Sequence, residues 1–141
     1  MKINLSVSAN GGYFPVLAEW RENGVRYSDR FDTAYNAVNY LAGRYGRNAD
    51  FRHKGSGVSL LRFAEQYGKA YEMLYNAEER GETPTISISD AAALFDATVK
   101  ESVVVRGFVG LLCGYMGDYI ASDREAAAFM IAWAALPTFN K

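Results

Sequence analysis

The chain has 141 residues and a net charge of −1; half of its residues are hydrophobic and 14% are aromatic. This composition is typical of a folded globular protein and excludes a disordered chain. The length suits one compact domain spanning residues 1–141. One cysteine excludes an intramolecular disulfide, and with one histidine the chain lacks the usual ligand set of a structural zinc site.

The sequence predicts neither a signal peptide nor a membrane-spanning helix. The N-terminal segment MKINLSVSANGG alternates polar and apolar residues and lacks the apolar core of a signal peptide. The most apolar stretch, residues 103–121, is interrupted by Arg106 and Asp118, which favours a buried helix over a membrane span. These features predict a cytoplasmic protein without a membrane partner.

Three strands are predicted first, and a tight turn sets their register. Ile3, Leu5 and Val7 alternate with polar residues, residues 13–21 form a second candidate strand, and Asn23-Gly24 precedes the third, VRYSDRF. A two-residue loop places Arg21 opposite Arg26 and alternates the faces. The predicted core face carries Val16, Ala18, Trp20, Val25, Tyr27 and Phe31, with Asp29 as a misfit. The predicted exposed face carries Leu17, Glu19, Arg21, Arg26, Ser28 and Arg30.

Helices dominate the rest of the chain. Thr33 is a candidate cap for a helix that Gly43 ends, and a basic loop follows over residues 44–58. Residues 59–141 form a helical subregion. Its predicted helices are one from Ser59 to Gly81, one starting at Ser89 or Asp90, one over 101–121, and one from the capping box at 122–125 to Pro137. Residues 85–88 are a candidate short strand. The prediction is an α+β fold: a three-stranded antiparallel sheet with one helix (1–43), then a bundle of three to four helices.

One helical face carries a stripe of glycines. Gly107, Gly110, Gly114 and Gly117 recur at spacings of three, four and three residues. Because glycine lets another backbone approach closely, the stripe predicts a tight helix crossing. A homodimer formed through the helix that carries Gly107 to Gly117 is a second interpretation.

Catalytic and cofactor motifs are absent from the sequence. There is no Gly-x-Ser-x-Gly, Walker loop, His-Glu-x-x-His or dinucleotide fingerprint. Cys113 falls in an apolar helix, where cysteine usually packs as a small core residue. His53 lies between Arg52 and Lys54 without an evident catalytic partner. We therefore predict no enzyme activity, no cofactor and no metal; an enzyme of unrecognised class using Cys113 or His53 is the alternative.

Basic residues concentrate in the N-terminal half. Residues 1–62 carry a net charge of +4 and residues 63–141 one of −5. The segment 43–57 holds Arg44, Arg47, Arg52 and Lys54. If this segment folds toward the exposed face of the hairpin, it joins Arg21, Arg26 and Arg30 in one surface of seven cations. Such a surface suits an anionic partner, although the asymmetry could equally serve attraction between the two halves.

The segment EWRENGVRYSDRFDTAYNAVNYL (19–41) resembles the hairpin-and-helix unit of the arm-type DNA-binding domain of phage integrases. The matching positions are Trp20, Arg21, Asn23, Gly24, Arg26, Phe31, Thr33, Ala37 and Leu41. In that family the sheet face contacts DNA, which the resemblance carries over to Arg21, Arg26 and Arg30. The same unit occurs in small phage proteins, including some anti-CRISPR proteins.

The leading functional hypothesis is a small non-enzymatic binding protein from a phage or mobile element. It would inhibit a host nucleic-acid-handling defence complex, of anti-CRISPR or anti-restriction type, by docking on a host protein or ribonucleoprotein. The alternative is a DNA- or RNA-binding module that uses the basic sheet face. Both hypotheses rest on Arg21, Arg26, Arg30, Arg44, Arg47, Arg52 and Lys54.

Overall fold

A computed structural model describes residues 1–8, 12–84, 86–115 and 122–136, of which 113–115 are described for their backbone only. The fold is α+β, as predicted. Its strands are β1 (Lys2–Val7), β2 (Val16–Glu22), β3 (Val25–Phe31) and β4 (Asp50–His53). Its helices are α1 (Ala34–Tyr45), a short 3₁₀ helix (Gly46–Asn48), α2 (Leu60–Glu79), α3 (Ile88–Glu101), α4 (Val103–Tyr115) and α5 (Asp123–Ala135).

The chain divides into two compact units. The first comprises Met1–Leu60 together with α4 from Val104 onward, and the second comprises Leu61–Val103 together with α5. The sheet therefore shares its unit with α1 and α4, whereas α2, α3 and α5 form the other unit.

The sheet has four strands in the order β3-β2-β1-β4, so the prediction of three antiparallel strands is wrong. β1 runs antiparallel to β2 and parallel to β4, which lies inside the segment predicted as a basic loop. Phe51 and His53 of β4 are buried, while Asp50 and Arg52 alternate with them on the opposite face. This alternation over four residues makes 50–53 a strand.

The predicted register of the β2–β3 hairpin is confirmed. Val16 pairs with Phe31, Trp20 with Tyr27, and Glu22 with Val25. The turn residues Asn23 and Gly24 have φ angles of 53° and 80°. Positive φ at both positions matches the twist that a two-residue hairpin requires, so the turn sequence determines which side chains share a face.

One face of the sheet packs on α1. Ile3, Leu5, Ala18, Trp20 and other inward residues form one core with the helix residues Ala34, Ala37, Val38 and Leu41. The Thr33 hydroxyl accepts a hydrogen bond from the Asn36 backbone N–H (3.1 Å), so Thr33 is the predicted cap. The helix passes through Gly43, contrary to prediction. It ends at Tyr45 because Gly46, with φ of 61° and ψ of −134°, leaves the helical region for a conformation that glycine adopts readily.

The predicted core face is wrong at the outer strand. Val25 is 53% exposed and Tyr27 is 40% exposed. Both belong to β3, which lies at the edge of the sheet, whereas the buried residues of that face belong to β1, β2 and β4. The inner face is therefore left uncovered along much of β3.

Helix α4 begins later than predicted. Ser102 takes an extended conformation and ends α3, so residues 101–121 do not form one helix. A side-chain carbon added at Gly107 would lie 3.6 Å from His53 Nε2, whereas one added at Gly110 would meet no atom within 4 Å. The group that lies close to Gly107 is therefore the His53 side chain of β4, and not the backbone of another helix. Gly114 is described for its backbone only and Gly117 lies outside the described residues, so the homodimer remains a prediction.

In the second unit, α2, α3 and α5 share a core that includes Leu74, Ala91 and Ala128. The predicted strand at 85–88 is wrong for its described residues, because Ser87 caps α3 and Ile88 begins it. The capping box is confirmed: the Ser122 hydroxyl accepts from the Glu125 N–H and donates to the Glu125 carboxylate. No helix in the described part of the chain is both long enough and apolar enough to cross a membrane.

Candidate anion-binding face of the sheet

We define the open face as the surface of the sheet opposite α1. The strand pairing places on it the side chains of Lys2, Asn4, Ser6, Leu17, Glu19, Arg21, Arg26, Ser28, Arg30, Asp50 and Arg52. Lys54 joins them from just after β4, because its ammonium contacts the Glu19 carboxylate. The open face is therefore polar throughout, except for Leu17, and predominantly basic.

A concavity of about 600 Å³ lies on this face. Its lining includes Lys2, Asn4, Arg21, Arg26 and Ser28, with Glu19 and Lys54 beside them. These residues come from β1, β2, β3 and the end of β4, so the whole width of the sheet contributes. Sheets twist, and a twisted surface is concave along one diagonal, which gives the depression its form.

Two of the cations are paired with carboxylates. Lys54 Nζ lies 2.8 Å from Glu19 Oε1, and Arg52 Nε lies 2.8 Å from Asp50 Oδ2. Arg52 also donates to the Gly57 carbonyl (3.0 Å). These pairs neutralise the charge on the β4 side of the open face and hold Arg52 in place. Either cation would have to release its carboxylate partner before it could bind a ligand.

Three other cations in the concavity have no such partner. Within the described residues, the side chains of Lys2, Arg21 and Arg26 make no hydrogen bond and no ion pair. Arg21 lies directly opposite Arg26 across the β2–β3 ladder. Since Glu22 and Val25 flank the two-residue turn as a hydrogen-bonded pair, the next pair outward is non-hydrogen-bonded, where opposed side chains are closest. Like charges in that position repel, and an anion between them would relieve the repulsion.

Five of the seven predicted cations lie on the open face: Arg21, Arg26, Arg30, Arg52 and Lys54. Arg30 is at its outer end, where Nη1 donates to the Phe14 carbonyl (3.4 Å). Arg44 lies in the last turn of α1, which covers the opposite face, and its guanidinium stacks over the Tyr45 ring. Arg47 lies in the 3₁₀ helix between α1 and β4.

Sequence reasoning missed Lys2 as a member of the site. Its signal was present in the strand alternation, because Lys2 precedes inward-facing Ile3 and shares the outward parity of Asn4. Lys2 lies beside Asp50 in the register, so the β1–β4 pairing, which the sequence did not reveal, completes its placement.

His53 points away from the open face. It is 6% exposed, its ring lies 5.4 Å from the Phe108 ring, and its Nδ1 accepts from the Ser56 backbone N–H (3.2 Å). Burial lowers its pKa below the ordinary value, because desolvation disfavours the imidazolium. The neutral ring packs on the inner side of β4, so it is not exposed beside Arg52 and Lys54 as the sequence suggested.

A metal site requires several ligating side chains close together. No group of three or more His, Cys, Asp or Glu residues in that part of the chain is placed to hold a metal ion. The Cys113 side chain lies outside what the structure describes.

Comparison with known proteins does not identify the chain. No protein-family model matches it, and no curated protein or solved structure matches it either.

Proposed function

We propose that this chain is a non-enzymatic binding protein whose open face docks on a polyanionic surface of a nucleic-acid-handling complex. The observation that carries the proposal is the group of Lys2, Arg21 and Arg26, which share one concavity and lack a partner among the described residues. An opposed arginine pair costs stability in the free protein, and a bound anion offsets that cost.

The chemistry of the group favours phosphate. Each guanidinium presents a planar fork of donors that matches the oxygens of a phosphate, and the ammonium of Lys2 adds a point charge. The concavity is open to solvent along the sheet, which suits an extended strand or a macromolecular surface. Binding of this kind releases counterions and weakens steeply as salt is raised.

We place the partner in a host defence complex that acts on nucleic acid, which the protein inhibits by occupying this polyanionic surface. The support is the hairpin followed by a capped helix over residues 19–41, the unit that resembles those of phage integrases and small phage inhibitors. Arg21, Arg26 and Arg30, to which that resemblance assigns the contact, are on the open face.

The alternative is a module that binds DNA or RNA on its own. The same surface favours it, because the unpaired cations are equally suited to the phosphate backbone of free nucleic acid. The two functions differ in whether naked nucleic acid is sufficient for tight binding.

Fluorescence anisotropy with labelled double- and single-stranded DNA and RNA, over a salt series from 50 to 300 mM, tests the proposal. The triple variant Lys2→Glu, Arg21→Glu, Arg26→Glu removes the unpaired group. Where wild type binds, we expect this variant to bind at least tenfold more weakly and to lose about three units of the log–log salt slope, roughly one per phosphate contact. The matched control, Arg44→Glu with Arg47→Glu, reverses two charges off the open face and should keep most of the affinity.

The second arm of the experiment replaces nucleic acid with labelled polyglutamate. Tight binding of nucleic acid supports the free-standing module, whereas binding of polyglutamate alone supports docking on an acidic protein surface. Wild-type protein that binds neither polyanion at 50 mM salt contradicts the proposed function. If the triple variant and the control lose affinity equally, binding depends on overall charge. The group of Lys2, Arg21 and Arg26 is then not the binding site.

A further inference from the structure

Within the part of the chain that the structure describes, strand β3 is the free edge of the sheet. It is the terminal strand in the order β3-β2-β1-β4, and six of its seven residues, Val25 to Arg30, are exposed. The opposite edge is engaged, because residues 57–59 fold back on β4 and the His53 N–H donates to the Val58 carbonyl (2.9 Å). Unpaired backbone groups at an edge are a template for another strand.

The outward backbone groups of β3 belong to Arg26, Ser28 and Arg30. Glu22 and Val25 flank the tight turn as a hydrogen-bonded pair, so Val25, Tyr27 and Asp29 direct their N–H and C=O groups toward β2. The Arg30 N–H agrees with this alternation, since it donates to the Asp29 carboxylate (2.8 Å) and not to β2. The Asp29 carboxylate thereby occupies the outward N–H of Arg30. The outward N–H and C=O groups of Arg26 and Ser28 remain available to another strand.

The two sides of this edge differ in chemistry. Arg26 and Arg30 project on the open face. On the other side, Val25 and Tyr27 are 53% and 40% exposed, although they share a face with the buried core. A strand added beside β3 would therefore meet cations on one side and, at Val25 and Tyr27, apolar surface on the other, where Asp29 is the charged exception.

We propose that β3 accepts an extended acidic segment of a partner protein as a fifth strand. Backbone hydrogen bonds to Arg26 and Ser28 hold the segment, and its side chains alternate between carboxylates, which face Arg26 and Arg30, and apolar groups, which cover Val25 and Tyr27. Strand addition draws its affinity from the main chain and its specificity from alternate side chains. This contact does not rest on polyanion binding by the open face.

Charge disfavours a second copy of this chain as the occupant. The antiparallel register that pairs all seven residues of β3 with those of a second copy is centred on Ser28. It places Arg26 opposite Arg30 of the other chain twice, and like charges directly opposed across a ladder are destabilising. An acidic strand replaces both repulsions with attractions.

The test uses the intact chain and a fluorescein-labelled seven-residue peptide that alternates glutamate and valine. We expect binding with a dissociation constant below 1 mM. In an amide-exchange experiment, the peptide should slow exchange at Arg26 and Ser28 at least fivefold and leave Val25 and Tyr27 unchanged. Two N-methylated peptides provide matched controls, since methyl groups on the edge facing β3 block pairing and methyl groups on the other edge do not.

The variant Ser28→Pro is the complementary change in the protein. It removes one outward N–H while leaving charge and the β2–β3 ladder intact, because proline is tolerated where the N–H of an edge strand faces solvent. We expect at least tenfold weaker peptide binding. The N-methylated peptides answer the same question should this variant fail to fold.

Three outcomes overturn the inference. It fails if the peptide binds with a dissociation constant of 1 mM or higher, or if the two N-methylated peptides bind equally. It also fails if light scattering shows a wild-type dimer that Ser28→Pro dissociates. Equal binding of the two N-methylated peptides reduces the interaction to charge and leaves the proposed function standing. If the peptide pairs with β3 but the open face binds no polyanion, the proposed function fails and this inference stands. Failure of one proposal can therefore be told from failure of the other.

Discussion

Replacing Arg26 by glutamate is expected to stabilise the free protein while weakening binding on the open face. Arg26 opposes Arg21 in the ladder, and neither has a carboxylate partner among the described residues. The substitution converts a like-charge pair into an opposite-charge pair at the position of closest approach. It also removes one of the three unpaired cations of the concavity. Stability and binding therefore change in opposite directions.

The magnitude follows from the cross-strand pair. Opposed charges across an antiparallel ladder contribute roughly 0.2–1 kcal/mol in either direction, so exchanging repulsion for attraction amounts to about 1 kcal/mol. For a chain of this size that corresponds to an increase in melting temperature of about 3–5 °C if unfolding is two-state. Because the pair is exposed, the gain should shrink when salt is raised from 50 to 500 mM.

Urea unfolding followed by tryptophan fluorescence measures this change. The chain has two tryptophans, Trp20 in the first compact unit and Trp133 in the second. A Trp133→Phe background therefore lets Trp20 report on the unit that contains the sheet. Arg26→Gln is the matched control, since it removes the repulsion without adding attraction and should give about half of the gain.

A double-mutant cycle isolates the pair from other effects. Arg21→Glu alone should stabilise as Arg26→Glu does, and the double variant should lose both gains because two glutamates again oppose each other. If Arg26→Glu is less stable than Arg26→Gln at low salt, or if the two single changes are additive, the arginines do not repel across the ladder. The physical basis of the open face as an anion site would then be refuted.

Two further predictions concern the remainder of the first unit. Burial lowers the pKa of His53 below its ordinary value of 6.5, so the unfolded chain binds the proton more readily and stability should fall as the pH drops below 6.5. A His53→Gln variant should lose that part of the pH dependence in urea titrations, and an unchanged profile would show that His53 is not protonated on unfolding. Gly110→Ala should raise the free energy of unfolding by about 0.5–1 kcal/mol, because the added carbon meets no atom within 4 Å and alanine favours a helix. Gly46→Ala should lower it by about 1 kcal/mol, because its φ of 61° strains any L side chain. A loss of stability in Gly110→Ala or a gain in Gly46→Ala would contradict this account.

The hairpin was predictable because its determinants are local. Asn23-Gly24 limits the loop to two residues, and that single choice sets Arg21 opposite Arg26 five positions away. The caps at Thr33 and Ser122 were predictable for the same reason, since each depends on a side chain and an N–H three residues apart. The candidate cations of the hairpin followed directly from this register.

The fourth strand was not predictable from local pattern. The segment DFRH is only four residues long, and its two inward side chains, Phe51 and His53, give almost no periodicity. Its pairing with β1 is parallel and spans a long stretch of sequence, which no turn signal reports. The exposure of Val25 and Tyr27 has a separate cause, since β3 is an edge strand whether or not β4 joins the sheet.

The central position of β1 has a consequence for synthesis on the ribosome. The strand emerges before both of its neighbours and finds β2 soon afterwards, but its other neighbour, β4, follows only after about fifty more residues, since Lys2 pairs with Asp50. At 5–20 residues per second, β1 waits roughly 2–10 s with one side unpaired. During that interval its backbone groups, beside Ile3 and Leu5, are open to chaperones or to neighbouring nascent chains. Any pause in translation between the hairpin and β4 lengthens the exposure of a strand that is fully enclosed in the finished sheet.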